Sequence, residues 1–115
     1  MILPIVPGDV VVAEFPILGG RMKQRPGIVL RVVPPFDDLL VCAVSRQLRH
    51  HVPELDDTIV STDDDFESSG LQNESLIRLG YLTTLFIEEV DGAIGEISSE
   101  RLIRLLNRLA SYLVK

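Results

Sequence analysis

Tryptophan is absent, cysteine occurs once, and four phenylalanines and two tyrosines supply the only aromatic surface. The lone Cys42 can form no internal disulfide, and nothing resembles a Cys/His zinc cluster, so a disulfide-stapled scaffold is excluded and a reducing compartment fits. No apolar run approaches the ~18 residues that a membrane span requires. The apolar opening, residues 1–6, has no basic n-region, is interrupted by Pro4 and followed by Pro7, and is too short for a signal peptide. The expected location is the cytoplasm, with no membrane contact. Basic residues are also scarce: 11 Lys and Arg against 17 Asp and Glu leave a formal charge of −6. Taken as a sum, that charge argues against a nucleic-acid partner, because phosphate binding is driven by cations.

The distribution of charge says more than its sum. Residues 21–51 carry six basic side chains against Asp37 and Asp38, whereas residues 52–100 hold thirteen acids against Arg78 alone. Residues 101–115 are again basic, with a balance of +4. A basic block and an acidic block in one chain imply different roles for the two. The length of 115 residues, 46% hydrophobic and 24% charged, fits a single globular domain spanning 1–115 with one core, and disfavours disorder.

Turn signals divide the chain into short strands. Gly8-Asp9 precedes the β-branched run Val10-Val11-Val12, which predicts a strand reaching Phe15. Pro16 and Gly19-Gly20 open a loop expected to carry Arg21, Lys23 and Arg25. Pro26 biases Arg25 toward extended geometry, and residues 27–33 read as a second strand ended by Pro34-Pro35. Residues 39–45 are almost wholly apolar, which predicts a central strand covered on both faces. After a polar stretch, residues 58–60 form a short strand candidate and residues 61–70 an acidic loop. Residues 75–79 and 82–87 read as two further strands with Gly80 as a bulge or bend between them, and Asp91-Gly92 as a turn.

The last element carries the clearest signal. Ser98 is a good N-cap, Ile97 and Leu102 occupy the two positions of a hydrophobic staple, and Glu100 lies in the first turn. Leu102, Leu105, Leu106, Leu109 and Leu113 recur at helical spacing, with Arg101, Arg104 and Arg108 expected on the solvated side. Strands punctuated by turns and closed by one amphipathic helix predict a mainly β fold, a small barrel or two packed sheets.

The strand that starts Gly8-Asp9-Val10-Val11, the Gly-containing loop, and then Lys23-Gln24-Arg25-Pro26-Gly27 resemble the opening of the MazF/PemK family of toxin ribonucleases. Val41-Cys42-Ala43-Val44-Ser45 is similar to the family strand that ends in a catalytic Thr or Ser, and Ile94-Gly95-Glu96-Ile97-Ser98 to its pre-helix signature. The resemblance runs over nearly the whole chain. It implies a small SH3-like barrel with a C-terminal α-helix, the fold shared by MazF, PemK and CcdB, assembled as a homodimer that cleaves single-stranded RNA and is neutralised by a cognate antitoxin. It also implies that Arg25 and Ser45 are catalytic, with Arg21, Lys23, Gln24, Arg46, Arg49, Tyr81, Thr83 and Thr84 contacting RNA. Two departures stand out: Val44 occupies a position where the family often has proline, and Leu79-Gly80-Tyr81-Leu82-Thr83-Thr84 replaces a more polar or basic segment.

The chemistry is sensible independently of the resemblance. Internal attack by a ribose 2′-OH requires charge stabilisation on phosphoryl oxygens and an oriented hydroxyl. Arg25 offers a planar, permanently charged fork, and a serine ending a rigid strand can hydrogen-bond phosphate or hydroxyl with little reorganisation. Such a scheme calls for neither metal nor cofactor.

Each candidate has a plainer reading. Arg25 could be a solvated loop cation, although the following proline favours function, and Ser45 a simple strand-end hydroxyl. His50-His51 could serve as acid or base, but exposed loop histidines are commoner than catalytic ones. Cys42 sits between Val41 and Ala43, as a buried, inert thiol would. Asp63-Asp64-Asp65 lacks the ligand spacing of a calcium loop and reads as solvated. Phe36 and Tyr81 could stack on bases, although burial accounts for most aromatics. Two other functions remain open. One is a catalytically silent family member acting as a binding or regulatory module. The other is a CcdB-type gyrase poison, disfavoured because those proteins resemble one another in a Trp-containing tail whereas this chain ends Leu113-Val114-Lys115.

Overall fold

Alternation at Val10 and Val11 sets the two faces of the sheet. In the computed structural model, which describes residues 4–115, these neighbours lie in separate buried clusters, as the two-residue period of a strand requires. Residues 1–3 of the apolar opening lie outside the described residues. Strands β1 (Asp9–Pro16), β2 (Met22–Val33), β3 (Asp38–Ser45), β4 (Asp57–Ile59), β5 (Ser75–Leu85) and β6 (Ala93–Glu96) form one antiparallel sheet in the order β4-β5-β3-β2-β1-β6, curled into a half-barrel. Helix α1 (Ser99–Leu113) follows. The strand-rich barrel with one C-terminal helix expected from the sequence is the fold observed. Among the described residues no helix is long and apolar enough to cross a membrane.

One core fills the space between sheet and helix, joining Val10, Ile28, Cys42, Val44 and Ile77 to Leu105 and Leu109. The other covers the opposite face, around Val11, Phe15, Val29 and Val41. Strand β3 contributes to both, which is why it is apolar along its length. At Gly27 a Cβ would stand 2.5 Å from Val41 Cγ1 and 2.7 Å from the Phe15 ring, so only glycine lets this second core close.

The two edge strands do not pair. The turn segment 61–70 closes the gap instead: Glu96 N–H donates to the Ser68 carbonyl at 2.9 Å, and Ser68 Oγ donates to the Glu96 carbonyl at 3.1 Å. Covering an edge in this way removes a row of unpaired backbone groups.

Two strand expectations change. β2 starts at Met22 rather than residue 27, so Lys23 and Arg25 lie on a strand and not in a loop. The strand can run through Pro26 because β2 pairs there only with β1, and its pairing with β3 begins at Gly27. Residues 75–85 are one strand, and the irregularity expected near Gly80 is a bulge at which the β3 partner jumps from Leu82 to Arg78.

The larger correction concerns charge. Arg101 is not on the wet face of α1, Arg104 and Arg108 are half-exposed yet ion-paired, and of Asp63 to Asp65 only Asp64 is simply solvated. Arg101 is 5% exposed, and all five of its N–H donors are used. Nε meets Asp65 Oδ2 at 2.7 Å. Nη1 meets Asp57 Oδ2 and the Thr58 carbonyl, both at 2.8 Å, and Nη2 meets Asp63 Oδ2 and Asp65 Oδ1 at 3.0 Å. Arg104 adds a bond to Asp57 at 3.0 Å, and Arg108 donates to the Asp56 carbonyl. Burial alone would raise the Asp65 carboxyl, but the Arg101 guanidinium and the Ser98 N–H outweigh it and hold Asp65 below its ordinary value. Part of the acidic block therefore anchors the helix. The Ser98 cap forms as expected, with Oγ accepting from Arg101 N–H at 3.1 Å.

Candidate active site

Arg25 pairs with Ala13 of β1, two residues before β2 begins to pair with β3 at Gly27↔Ala43, and Ser45 lies two residues beyond that pair at the end of β3. The last pair of the β2–β3 ladder brings the two strand ends to one place. Because β2 and β3 stop pairing at Gly27, the strand ends open into a cleft of about 450 Å³.

Lys23, Gln24, Arg25 and Pro26 of β2 form one wall, with Val44 and Ser45 of β3 and the following Arg46 and Gln47 beside them. The facing wall is the segment 70–75, and Val12 and Ile94 complete the lining. Among the described residues three cations line the cleft and no carboxylate does, although the chain carries −6. Glu74, the one acid in the facing segment, is engaged elsewhere: its carboxylate accepts from Ser61 N–H at 2.9 Å and Ser61 Oγ at 3.0 Å.

Two polar atoms are notable. Arg25 Nε is buried with no hydrogen-bond partner among the described residues, a cost that a ligand drawing the guanidinium forward would relieve. Ser45 Oγ accepts from Gln47 N–H at 3.0 Å, which fixes the oxygen while leaving its O–H free to donate.

The other residues expected to contact RNA do not line this cleft. Arg21 follows the turn that precedes β2 and is exposed, and Arg49 lies on the one-turn 3-10 segment Leu48–His50, where its nearest partner is His50 at 3.5 Å. Thr83 pairs with Val41 and Thr84 with Leu40, on the far side of the β5 bulge from Ser45. Tyr81 is half-buried, packed edge-on against Phe15 with ring centroids 6.1 Å apart. Phe36 is exposed in the β2–β3 turn, at the opposite end of both strands from Arg25 and Ser45.

One basic residue escaped the sequence reading. Arg78 pairs with Ala43, two positions along β5 from Leu76, the partner of Ser45, so it shares the face of Arg25 and Ser45 and lies diagonal to the serine. Its guanidinium stands 5.6 Å from the Tyr81 ring centroid. The available signal was its isolation, as the sole cation in the acidic block.

Asp56, also unremarked in sequence, is buried and ties the bulge to the loop beyond Ser45. Its carboxylate accepts from Leu79 N–H and Val52 N–H, both at 3.1 Å. His51 contacts the Asp56 carbonyl at 3.2 Å. Burial pushes the Cys42 thiol up to about 12, too high to supply a thiolate near neutral pH.

A family model described as PemK-like, MazF-like toxin of type II toxin-antitoxin system matches residues 6–113. No curated protein matches the chain.

Proposed function

The chain belongs to the PemK-like, MazF-like toxins of type II toxin-antitoxin systems, generally endoribonucleases, and we propose that it cleaves single-stranded RNA by internal attack of a ribose 2′-OH. The observation that carries this reading is the cleft lined by Arg25 and Ser45 together with Lys23 and Arg46 and, among the described residues, by no carboxylate.

In the proposed reaction Arg25 directs its fork at the non-bridging oxygens of the scissile phosphate, where charge accumulates in the transition state. Ser45, its oxygen held by the Gln47 N–H, donates to the phosphate or orients the 2′-OH. The 2′-O–P bond forms as the P–O5′ bond breaks; the 2′ proton leaves to solvent and the 5′ oxygen takes one up. The products are a 2′,3′-cyclic phosphate and a 5′-hydroxyl. Lys23 and Arg46 hold neighbouring phosphates. The scheme requires no metal and no cofactor.

Membership of the family implies an antitoxin partner. We take that partner to cover the cations of the cleft with an acidic, initially disordered segment, and the toxin to act in the cytoplasm as a homodimer. A silent binding module is the second reading, favoured by Gly80, which leaves the β5 bulge without a side chain for acid-base work.

The deciding experiment incubates purified protein with a long single-stranded RNA in excess chelator and identifies the new ends. Cyclic phosphate and 5′-hydroxyl termini that vanish in Arg25→Ala support the endoribonuclease. RNA that is bound but never cut, across varied sequences, sinks it in favour of the silent module.

A further inference from the structure

The wall facing Arg25 is chemically unlike the wall that carries it. Segment 70–75 contributes Gln72 and Asn73, neutral amides that each offer a donor beside an acceptor, and Leu71, which is buried at the base of the wall. Both amide side chains are exposed. Among the described residues Asn73 has no side-chain hydrogen bond, and Gln72 makes only a long contact of 3.5 Å to the Gly70 carbonyl.

The wall itself is held firmly. Gly70 has φ +74°, and a Cβ there would collide with the Ile94 carbonyl, so β6 backs directly onto the segment. Ser69 Oγ accepts from Leu71 N–H at 3.1 Å, and Ser75 Oγ donates to the Asn73 carbonyl at 2.7 Å. A rigid backbone presenting free amides is suited to discrimination, because an amide can match a base edge in two-point hydrogen bonds and leaves a mismatched edge unpaired. Between the walls lie the apolar side chains of Val12, Pro26, Val44 and Ile94, against which a flat base can rest. The volume of about 450 Å³ falls in the range that encloses a small organic ligand, and suits a nucleotide with its phosphate toward the three cations.

We propose that Gln72 and Asn73 are the specificity-determining residues of this cleft, reading the edge of one unpaired nucleobase whose phosphate lies on the Lys23, Arg25 and Arg46 side. The assignment rests on the endoribonuclease reading and adds to it where base identity is decided. The expected readers on β5, Tyr81, Thr83 and Thr84, do not line the cleft, whereas these two amides do.

The test gives the full-length protein a pool of single-stranded RNAs randomised over six positions and sequences the cut ends. In parallel, fluorescence anisotropy measures its affinity for four oligonucleotides that differ at one base and carry a 2′-deoxy sugar to block cleavage. Wild-type protein is expected to prefer one base at one position. Gln72→Ala and Asn73→Ala should each reduce the discrimination ratio between best and worst base by about tenfold, the scale of one lost two-point contact. Asn73→Asp removes the donor and should shift preference toward edges rich in donors, an outcome that general damage to the fold does not produce. Glu74→Gln, altered outside the cleft, should leave the preference unchanged. Cleavage or binding with no base preference, or a preference identical in wild type and all three amide variants, overturns the assignment while the endoribonuclease stands. A wild type that neither cuts nor binds any RNA overturns the endoribonuclease reading and this assignment together.

Discussion

Replacing Arg101 by methionine tests whether the acidic block is structural. The substitution keeps most of the side-chain volume but removes five hydrogen bonds and leaves Asp65, with a side chain 7% exposed, without its counter-ion. Asp63 is more open, and Asp57 retains Arg104, so the loss concentrates on Asp65. Breaking a buried pair from one side costs about 3–5 kcal/mol. Against a stability of ~5–15 kcal/mol for a domain of this size, that lowers the melting temperature by roughly 10–20 °C.

The pH dependence sharpens the test. In the wild type the folded Asp65 carboxyl lies below its unfolded value of about 3.9, so its stabilisation is complete above about pH 5 and fades as pH falls through 4. In Arg101→Met, burial without the guanidinium should raise that carboxyl. The folded state then binds a proton that the unfolded chain has lost, and stability should fall as pH rises past the unfolded value. Urea melts followed by circular dichroism from pH 3.5 to 7 measure both effects. A loss under about 1 kcal/mol, or a pH slope parallel to that of the wild type, would refute the reasoning. Arg101→Lys retains the charge with three donors and should fall between the two.

Arg25→Ala should slow RNA cleavage by at least ~10²-fold in single-turnover assays, and Arg25→Lys should recover only part, because a point charge does not replace a fork. Ser45→Thr should keep most activity and Ser45→Ala lose much of it, with circular dichroism checking that both fold. RNA affinity should fall steeply with salt if Lys23, Arg25 and Arg46 neutralise phosphates, and a salt-insensitive affinity would contradict the cleft as the binding site. Gly27→Ala should destabilise by about 1–3 kcal/mol in thermal melts through overpacking against Phe15 and Val41. Light scattering at tens of micromolar protein should give the mass of a dimer; a monomer mass would contradict the proposed assembly.

Local rules carried much of the fold. The Ser98 cap, the leucine spacing of α1, the apolar run of β3 and the turn at Gly8 are short-range signals, and the structure follows them except at Leu113, which is exposed at the helix end. What escaped depends on partners distant in sequence. Arg101 sits four residues before Leu105 and eight before Leu109, both buried, so it lies on the core stripe of the helix. That spacing was readable, but the three aspartates that make its burial tolerable lie at residues 57–65, and no local pattern joins them. The cleft is divided in the same way. Lys23 to Pro26 and Ser45 stand out as motifs, whereas Gln72 and Asn73 gain meaning only when segment 70–75 is folded across from them.

The closure of the sheet also orders events during synthesis. Arg25 and Ser45 are synthesised in the first half of translation, but β1 pairs with β6 through Asp9 and Glu96, and the guanidinium that neutralises the aspartate cluster arrives at residue 101. Contacts of such sequence separation form late and slowly. A chain stopped before α1 would carry the cleft residues with one sheet face uncovered and the aspartates repelling one another. Truncated or nascent chains should therefore be harmless and readily degraded, and a cell would meet a competent molecule only after α1 had docked through Arg101, Leu105 and Leu109.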